Sequence, residues 1–197
     1  MRVIAGQYRG RNLKSPPSLD VRPTSDRLRE TLFNVLSPRI QDARFLDLCA
    51  GSGAVGIEAL SRGAAHVTFV DRSRKMCGLV EANLDLCRIP EEQTTVVQAE
   101  ASDFVGRHTA EENRWNIVFF DPPYKSDYLK TLERLGEPGP LADEGLVVVE
   151  HHHKKDLPEE IGLLRRSRIL KQGDSSLSFY EVSTAPYEAG CLLNTCD

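Results

Sequence analysis

The sequence predicts an α/β protein with a doubly wound, mostly parallel sheet of seven strands and helices on both faces. Residues 45–71 read as strand, glycine turn, helix and second strand, which is the pattern of half such a sheet. Strands and helices continue to alternate after this segment, and the last two strands flank the turn at residues 173–175 as an antiparallel hairpin. A sheet of this type holds its ligand at the carboxyl ends of its strands.

We divide the chain into a short arm, one α/β domain and a tail. Residues 1–24 alternate loosely between apolar and polar side chains, which favours a β-hairpin arm with Arg9 and Arg11 at its tip. Residues 25–183 form the domain, because a chain of 197 residues with 40% hydrophobic content is long enough to bury one full core. Residues 184–197 show no periodicity, so we expect a disordered tail.

The first predicted helix covers residues 25–36. Thr24 can cap its N-terminus, and Pro38 ends it. Its apolar side chains recur at helical spacing, so they form one stripe that should pack on the sheet and fix the arm to the domain. The stripe consists of Leu28, Leu32, Phe33 and Leu36.

The later elements are predicted from runs of apolar or β-branched residues for strands and from 3–4 spacing for helices. Gly63 ends the helix of the central segment, and Pro90 closes the next one. The predicted strands are residues 45–48, 67–70, 94–97, 117–120, 145–149, 164–170 and 177–182. The predicted helices are residues 55–60, 75–87, 101–104 and 128–135.

The glycine turn of the central segment indicates a nucleotide-type cofactor. Gly51-x-Gly53-x-x-Gly56 also fits the dinucleotide fingerprint, so the turn alone leaves NAD, S-adenosylmethionine and no ligand open. Asp47 favours S-adenosylmethionine, because a carboxylate beside the turn would repel a pyrophosphate and attract a sulfonium or amino group. Asp71 ends the second strand, where an acid can hold both ribose hydroxyls.

Glu100 follows the third strand of the segment, where its carboxylate could accept the adenine amine with Ala101 against the ring. An acid favoured at a helix N-terminus is the alternative interpretation of Glu100. The predicted cofactor-binding residues are Asp47, Gly51, Ser52, Gly53, Asp71, Arg72, Glu100 and Ala101.

The tetrapeptide Asp121-Pro122-Pro123-Tyr124 follows a buried strand and carries the predicted chemistry. The prolines remove two backbone donors, so the Asp121 carboxylate and the Pro122 carbonyl remain as fixed acceptors for an NH2 group. Two such acceptors can pyramidalise the nitrogen of a nucleobase amine and direct its lone pair at a methyl donor. Tyr124 can stack on the base. We predict Asp121, Pro122 and Tyr124 as the catalytic residues.

We predict no metal site. The five cysteines have no C-x-x-C spacing, and we expect Cys49 and Cys77 to be small core residues. The run Glu150-His151-His152-His153 suggests metal binding, but consecutive side chains on an extended chain point to opposite faces. A polar loop after a strand is the favoured interpretation.

Charge is distributed unevenly along the chain. Residues 1–39 hold eight basic and three acidic residues, a net charge of +5, so the total of −4 leaves −9 for the remainder. A basic arm on an acidic body favours contact with a polyanion at one edge, although a merely solvated terminus remains the alternative. The basic residues predicted to contact this polyanion are Arg9, Arg11, Lys14 and Arg22. With no apolar run of membrane-spanning length, we expect a soluble, cytoplasmic monomer.

From residue 1 to about residue 183 the sequence resembles the RsmD-type family of bacterial 16S rRNA methyltransferases. Asp-Pro-Pro-Tyr alone is shared with adenine-N6 DNA methyltransferases, so it marks amine chemistry without marking the polymer. The motifs that carry the resemblance are Arg22-Pro23-Thr24, Arg27-x-Arg29-Glu30-x-Leu32-Phe33-Asn34, the glycine turn with Asp71, Asp121-Pro122-Pro123-Tyr124, and Lys171-x-Gly173-Asp174-Ser175-Ser176-Leu177.

The resemblance implies a class I methyltransferase fold and methyl transfer from S-adenosylmethionine to guanine N2, at position 966 in standard rRNA numbering. The implied partner is 16S rRNA, with the assembled 30S subunit as substrate, and residues 1–24 would help to hold it. Glu100 departs from the Asp that many relatives carry, and the run of histidines is not a mark of the family.

Two other functions remain open at this stage. The same amine chemistry would serve an adenine-N6 DNA or glutamine methyltransferase, although the chain has little room for a DNA target-recognition domain. A non-catalytic RNA-binding assembly factor could also retain the fold.

Overall fold

The computed structural model describes residues 1–16, 25–107, 114–123 and 126–183. Several predictions therefore concern residues outside this part of the chain. They are the RNA contact of Arg22, the Thr24 cap, the stacking of Tyr124 and the disordered tail at residues 184–197.

The α/β fold predicted from the sequence is confirmed, with one more strand than expected. The sheet has eight strands in the order β3-β2-β1-β4-β5-β8-β7-β6. Strands β1 to β5 are parallel, whereas β8 runs antiparallel to both β5 and β7. The strands are β1 Arg44–Leu48, β2 His66–Asp71, β3 Thr94–Gln98, β4 Trp115–Phe120, β5 Leu141–His152, β6 Glu160–Ile161, β7 Leu164–Gln172 and β8 Ser175–Val182.

The unexpected strand is β6, which has two residues and, among the described strands, pairs with β7 alone. So short a segment has no detectable alternation of apolar and polar residues, so the sequence did not indicate it. The outermost position of β6 makes it a short edge strand, a common way to end a sheet.

The described residues form five α-helices, of which the first precedes β1 and the other four connect the parallel strands. The cap of the first helix differs from the prediction, because the Ser25 hydroxyl accepts the Leu28 N–H at 3.2 Å. The helices are α1 Asp26–Leu36, α2 Ala54–Ser61, α3 Arg74–Cys87, α4 Ala101–Gly106 and α5 Tyr128–Leu135. None of them is long and apolar enough to cross a membrane.

The sheet separates two hydrophobic cores, because neighbouring residues of each strand point to opposite faces. In β4, Ile117 packs on the face that carries α1 and α2, whereas Val118 packs on the face that carries α5. The arm shares the first core through Val3, Tyr8 and Leu13, all of them buried.

Candidate active site

The glycine turn after β1 has the backbone conformation that only glycine adopts easily. Gly51 and Gly53 have φ values of 56° and 76°, and Gly53 precedes the first residue of α2. Gly56 is required for steric reasons, because a Cβ at this position would lie 2.3 Å from Cε1 of Phe69 on β2. The third glycine of the motif therefore lets α2 pack closely against the sheet.

Asp71, at the end of β2, holds the turn in place. Its Oδ2 accepts the Gly51 N–H at 3.0 Å, and its Oδ1 accepts the Ser73 N–H at 2.8 Å. Each carboxylate oxygen keeps a further lone pair for another donor. The geometry is therefore compatible with the predicted ribose contact, which remains a prediction.

Asp47 is buried beneath the same turn. Its Oδ2 accepts the Gly56 N–H at 2.9 Å, and only 2% of the residue is exposed. Burial raises its pKa from 3.8 to about 7, the Gly56 hydrogen bond opposes this rise, and the charge of Asp71 adds to it. A cation beside Asp47 would favour the ionised form, as expected for a site that receives a sulfonium or ammonium group.

Cys49 marks the point where the predicted acids meet. Burial, followed by the charges of four carboxylates, raises the pKa of its thiol well above the usual range. The carboxylates belong to Asp71, Asp121, Glu100 and Asp47. Cys77 is buried as expected, whereas Cys49 is half-buried with φ of 64° and packs against the edge of the second hydrophobic core. Sequence analysis named Cys49 only as a core residue and did not predict that it lies among these carboxylates, although its position between Asp47 and the glycine turn indicates it.

The remaining predicted cofactor residues lie around this cluster. Glu100 is exposed and occupies the N-cap position of α4, and its side chain makes no capping hydrogen bond, so its oxygens are not engaged by the helix backbone. Ala101 and Ser52 are buried, whereas Arg72 is exposed. The Ser52 carbonyl accepts the Asn83 Nδ2–H at 2.9 Å.

The segment after β4 lies beside the glycine turn, because β4 pairs with β1. The Asp121 N–H donates to the Leu48 carbonyl at 3.2 Å, and its side chain is half-buried. Pro122 is buried, and its carbonyl accepts the Tyr128 hydroxyl at 3.3 Å. Both predicted acceptors thus belong to one short segment near the carboxylate cluster.

The arm is fastened to α2 by a buried acid that sequence analysis missed. Glu58 is fully buried, and its carboxylate accepts the N–H groups of Ile4 at 2.7 Å and Ala5 at 3.0 Å. Arg62 donates to the same carboxylate at 2.8 Å, and Arg29 lies 3.9 Å away. The sequence signal that could have indicated this contact is the single acid, Glu58, within an otherwise apolar helix.

The predicted RNA-binding residues of the arm differ in their contacts. Arg11 donates to the Cys87 carbonyl and lies over the Tyr8 ring, so its guanidinium helps to dock the arm. Arg9 and Lys14 are exposed. The backbone of Lys14 pairs with the Asn83 side chain.

A cavity of about 250 Å³ separates the arm from α1. Three exposed arginines line it, namely Arg2, Arg9 and Arg27, together with the acids Asp26 and Glu30. Asp26 is paired with Arg29, but the three lining guanidinium groups form no ion pair with the described residues.

The histidine run does not form the predicted polar loop, because Glu150, His151 and His152 are the last residues of β5 and both Glu150 and His151 are buried. His151 is buried, its Nε2 lies 2.8 Å from the Ser178 hydroxyl, and burial lowers its pKa. His152 and His153 stack with ring centroids 4.5 Å apart, and potential ligand atoms of these two and Asp174 all lie within 4.8 Å. The absence of a metal here remains a prediction.

The strand order, with an antiparallel hairpin at one edge, and the carboxylates around the glycine turn place the protein among the class I methyltransferases, which use S-adenosylmethionine as methyl donor. Comparison with known proteins identifies the family within this class. The family model described as "Conserved hypothetical protein 95" matches residues 1–181. The chain belongs to this family, which is the RsmD family.

Named relatives span most of the chain. Ribosomal RNA small subunit methyltransferase D of Escherichia coli (strain K12) is 43% identical over 159 residues, covering 80% of this chain and 78% of that protein. YlbH of Bacillus subtilis (strain 168) is 38% identical over 182 residues, covering 92% and 98%. The solved structure of yhhF from Escherichia coli has a TM-score of 0.82 at 38% identity, covering 93% of this chain and 98% of that one.

Proposed function

We propose that the protein transfers the methyl group of S-adenosylmethionine to the exocyclic N2 of a guanine in 16S rRNA. The observation that carries the proposal is the position of Asp121 and Pro122 at the end of β4, beside the carboxylates of the glycine turn. A methyl donor and an amine acceptor would thus meet at one sheet edge. The family membership supports RNA as the polymer.

The residues that would hold the cofactor surround the turn. Asp47 and its neighbouring carboxylates favour a cation, Asp71 has acceptor capacity for the ribose, and Glu100 would accept the adenine amine beside Ala101. When bound, the cofactor supplies an electrophilic methyl group on a sulfonium that is already a good leaving group.

Catalysis would then depend on holding the amine correctly. The guanine N2 lone pair is delocalised into the ring, so the nitrogen is a poor nucleophile while planar. The Asp121 carboxylate and the Pro122 carbonyl would accept hydrogen bonds from its two N–H groups and direct the lone pair at the methyl group. The one proton that the nitrogen loses on methylation would pass to Asp121 or to water. In this mechanism the rate enhancement comes mainly from positioning.

The cavity between the arm and α1 supports an RNA backbone contact. Arg2, Arg9 and Arg27 line it and form no ion pair with the part of the chain that the structure describes, so their charge and donors can serve phosphate. Lys14 and Arg22 remain further predicted contacts. Because such contacts carry no base information, the folded 30S subunit would supply much of the selection of one guanine.

Methyl transfer from labelled S-adenosylmethionine tests the proposal, with unmodified 30S subunits, naked 16S rRNA and duplex DNA as substrates and the nucleoside identified by mass. We expect N2-methylguanosine, with 30S subunits as the preferred substrate. Methyladenine in DNA would replace the proposal by a DNA methyltransferase. Cofactor binding without transfer to any substrate would favour a non-catalytic assembly factor.

A further inference from the structure

Tyr128, the first residue of α5, reaches back to the segment that carries the proposed acceptors. The residue is only 1% exposed, and its hydroxyl donates to the Pro122 carbonyl at 3.3 Å. Its ring packs edge-on against Phe120 with centroids 5.9 Å apart, so the end of β4 and the start of α5 fix its position. A carbonyl oxygen has two lone pairs, so Pro122 keeps one for a second donor.

Lys155 fixes the same tyrosine from the other side. It follows β5 in a turn closed by the Lys155 N–H to the His152 carbonyl at 2.8 Å. Its Nζ lies 3.7 Å from the centroid of the Tyr128 ring and 3.5 Å from the Ser126 carbonyl. An ammonium group over the face of a buried aromatic ring is an attractive contact, so it restricts the ring.

The geometry points to Tyr128 and Lys155 as positioning residues for methyl transfer. Tyr128 orients the Pro122 carbonyl so that its free lone pair faces the substrate amine, and Lys155 acts through Tyr128 by holding its ring. This inference rests on the proposed function, because it assigns Pro122 the role of amine acceptor. Neither side chain needs to touch the substrate or the cofactor.

The chain contains a matched control for the Tyr128 hydroxyl. Tyr180 is also fully buried, and its hydroxyl donates to the carbonyl of Pro158 at 2.7 Å. The substitution Tyr180→Phe therefore removes the same kind of bond, from a tyrosine hydroxyl to a proline carbonyl, outside the segment that follows β4. A purely structural role would make Tyr128→Phe and Tyr180→Phe behave alike.

The test compares single-turnover methyl transfer, the KM for RNA, cofactor affinity and thermal stability in these variants. We expect Tyr128→Phe to slow transfer about tenfold with cofactor affinity and KM unchanged. We expect Lys155→Met to slow it about threefold and Lys155→Arg to restore it. Lys155→Met should slow methyl transfer less when it is added to Tyr128→Phe than when it is made in the wild-type protein. Tyr180→Phe should lower thermal stability without changing the rate of methyl transfer.

Two results would overturn the inference. One is a rate of methyl transfer in Tyr128→Phe equal to that in Tyr180→Phe. The other is a double variant in which Lys155→Met slows methyl transfer as much as it does in the wild-type protein. Hydrogen exchange of residues 121–128 is the second readout, which needs no methyl transfer. Faster exchange in Tyr128→Phe but not in Tyr180→Phe supports the inference, and unchanged exchange in Tyr128→Phe contradicts it. If the wild-type protein methylates no RNA, that result counts against the proposed function and leaves the exchange result standing.

Discussion

The side chain of Asn83 joins the N-terminal arm to the glycine turn through its contact with Ser52. Its Nδ2 donates to the Ser52 carbonyl at 2.9 Å and to the Lys14 carbonyl at 3.1 Å, and its Oδ1 accepts the Lys14 N–H at 2.8 Å. Asn83 is fully buried on α3. The proposed RNA contacts and the proposed cofactor site therefore share one polar side chain.

We expect Asn83→Ala to lower the free energy of unfolding by about 2 kcal/mol, because three backbone groups lose a partner in a buried place. It should also weaken cofactor binding, since the turn loses a support. Urea unfolding and calorimetric titration measure the two effects. Asn116→Ala is the control. Its side chain also accepts a hydrogen bond from a backbone group, the N–H of Arg44 at the start of β1 at 2.8 Å, but this contact is exposed. Equal effects of both substitutions on cofactor affinity would contradict the assignment.

Asp47→Asn should stabilise the cofactor-free protein above neutral pH and weaken cofactor binding. The folded-state pKa of Asp47 is about 7 against 3.8 for the free side chain, so the native protein binds more protons between these values. Its burial therefore costs stability that grows as pH rises through this window and is absent below it. The difference in melting temperature between variant and wild type should grow from pH 4 to pH 8. A constant difference would show that Asp47 does not titrate in this range.

Gly56→Ala should destabilise the protein although alanine is the better helix former. A Cβ at this position would lie 2.3 Å from Cε1 of Phe69, so α2 must move away from the sheet. The control is Gly78→Ala on α3, where a Cβ meets nothing within 4 Å and where we expect a gain of about 1 kcal/mol. Thermal unfolding of both variants checks the pair, and a stabilised Gly56→Ala would disprove the close packing of α2.

Arg9→Ala and Arg27→Ala should weaken RNA binding with little loss of stability, because both residues are exposed and neither guanidinium is ion-paired with the described residues. Each lost phosphate contact should reduce the slope of log affinity against log salt by about 0.7 to 0.9. The control is Arg165→Ala, which removes an exposed arginine paired with Glu160 on β6. A slope unchanged from wild type in both Arg9→Ala and Arg27→Ala would show that the cavity is not part of the RNA interface.

The sequence predicted those parts of the site that depend on local pattern. The glycine turn, Asp71 at a strand end and Asp121-Pro122 after a buried strand follow from short-range spacing, so they were accessible without a structure. Other features arise only when distant segments meet, as with the contact between Glu58 and the arm. The bond from Tyr128 to Pro122 spans six residues, yet no periodicity signals it. Strand β6 was missed because it is too short to show a pattern.

The most direct test of the account is the Asp121→Ala variant, assayed for methyl transfer to 30S subunits and for S-adenosylmethionine binding in the same preparation. If the Asp121 carboxylate holds the amine, transfer falls by at least about a hundredfold while the cofactor binds normally. Transfer at a rate close to that of wild type would contradict the account.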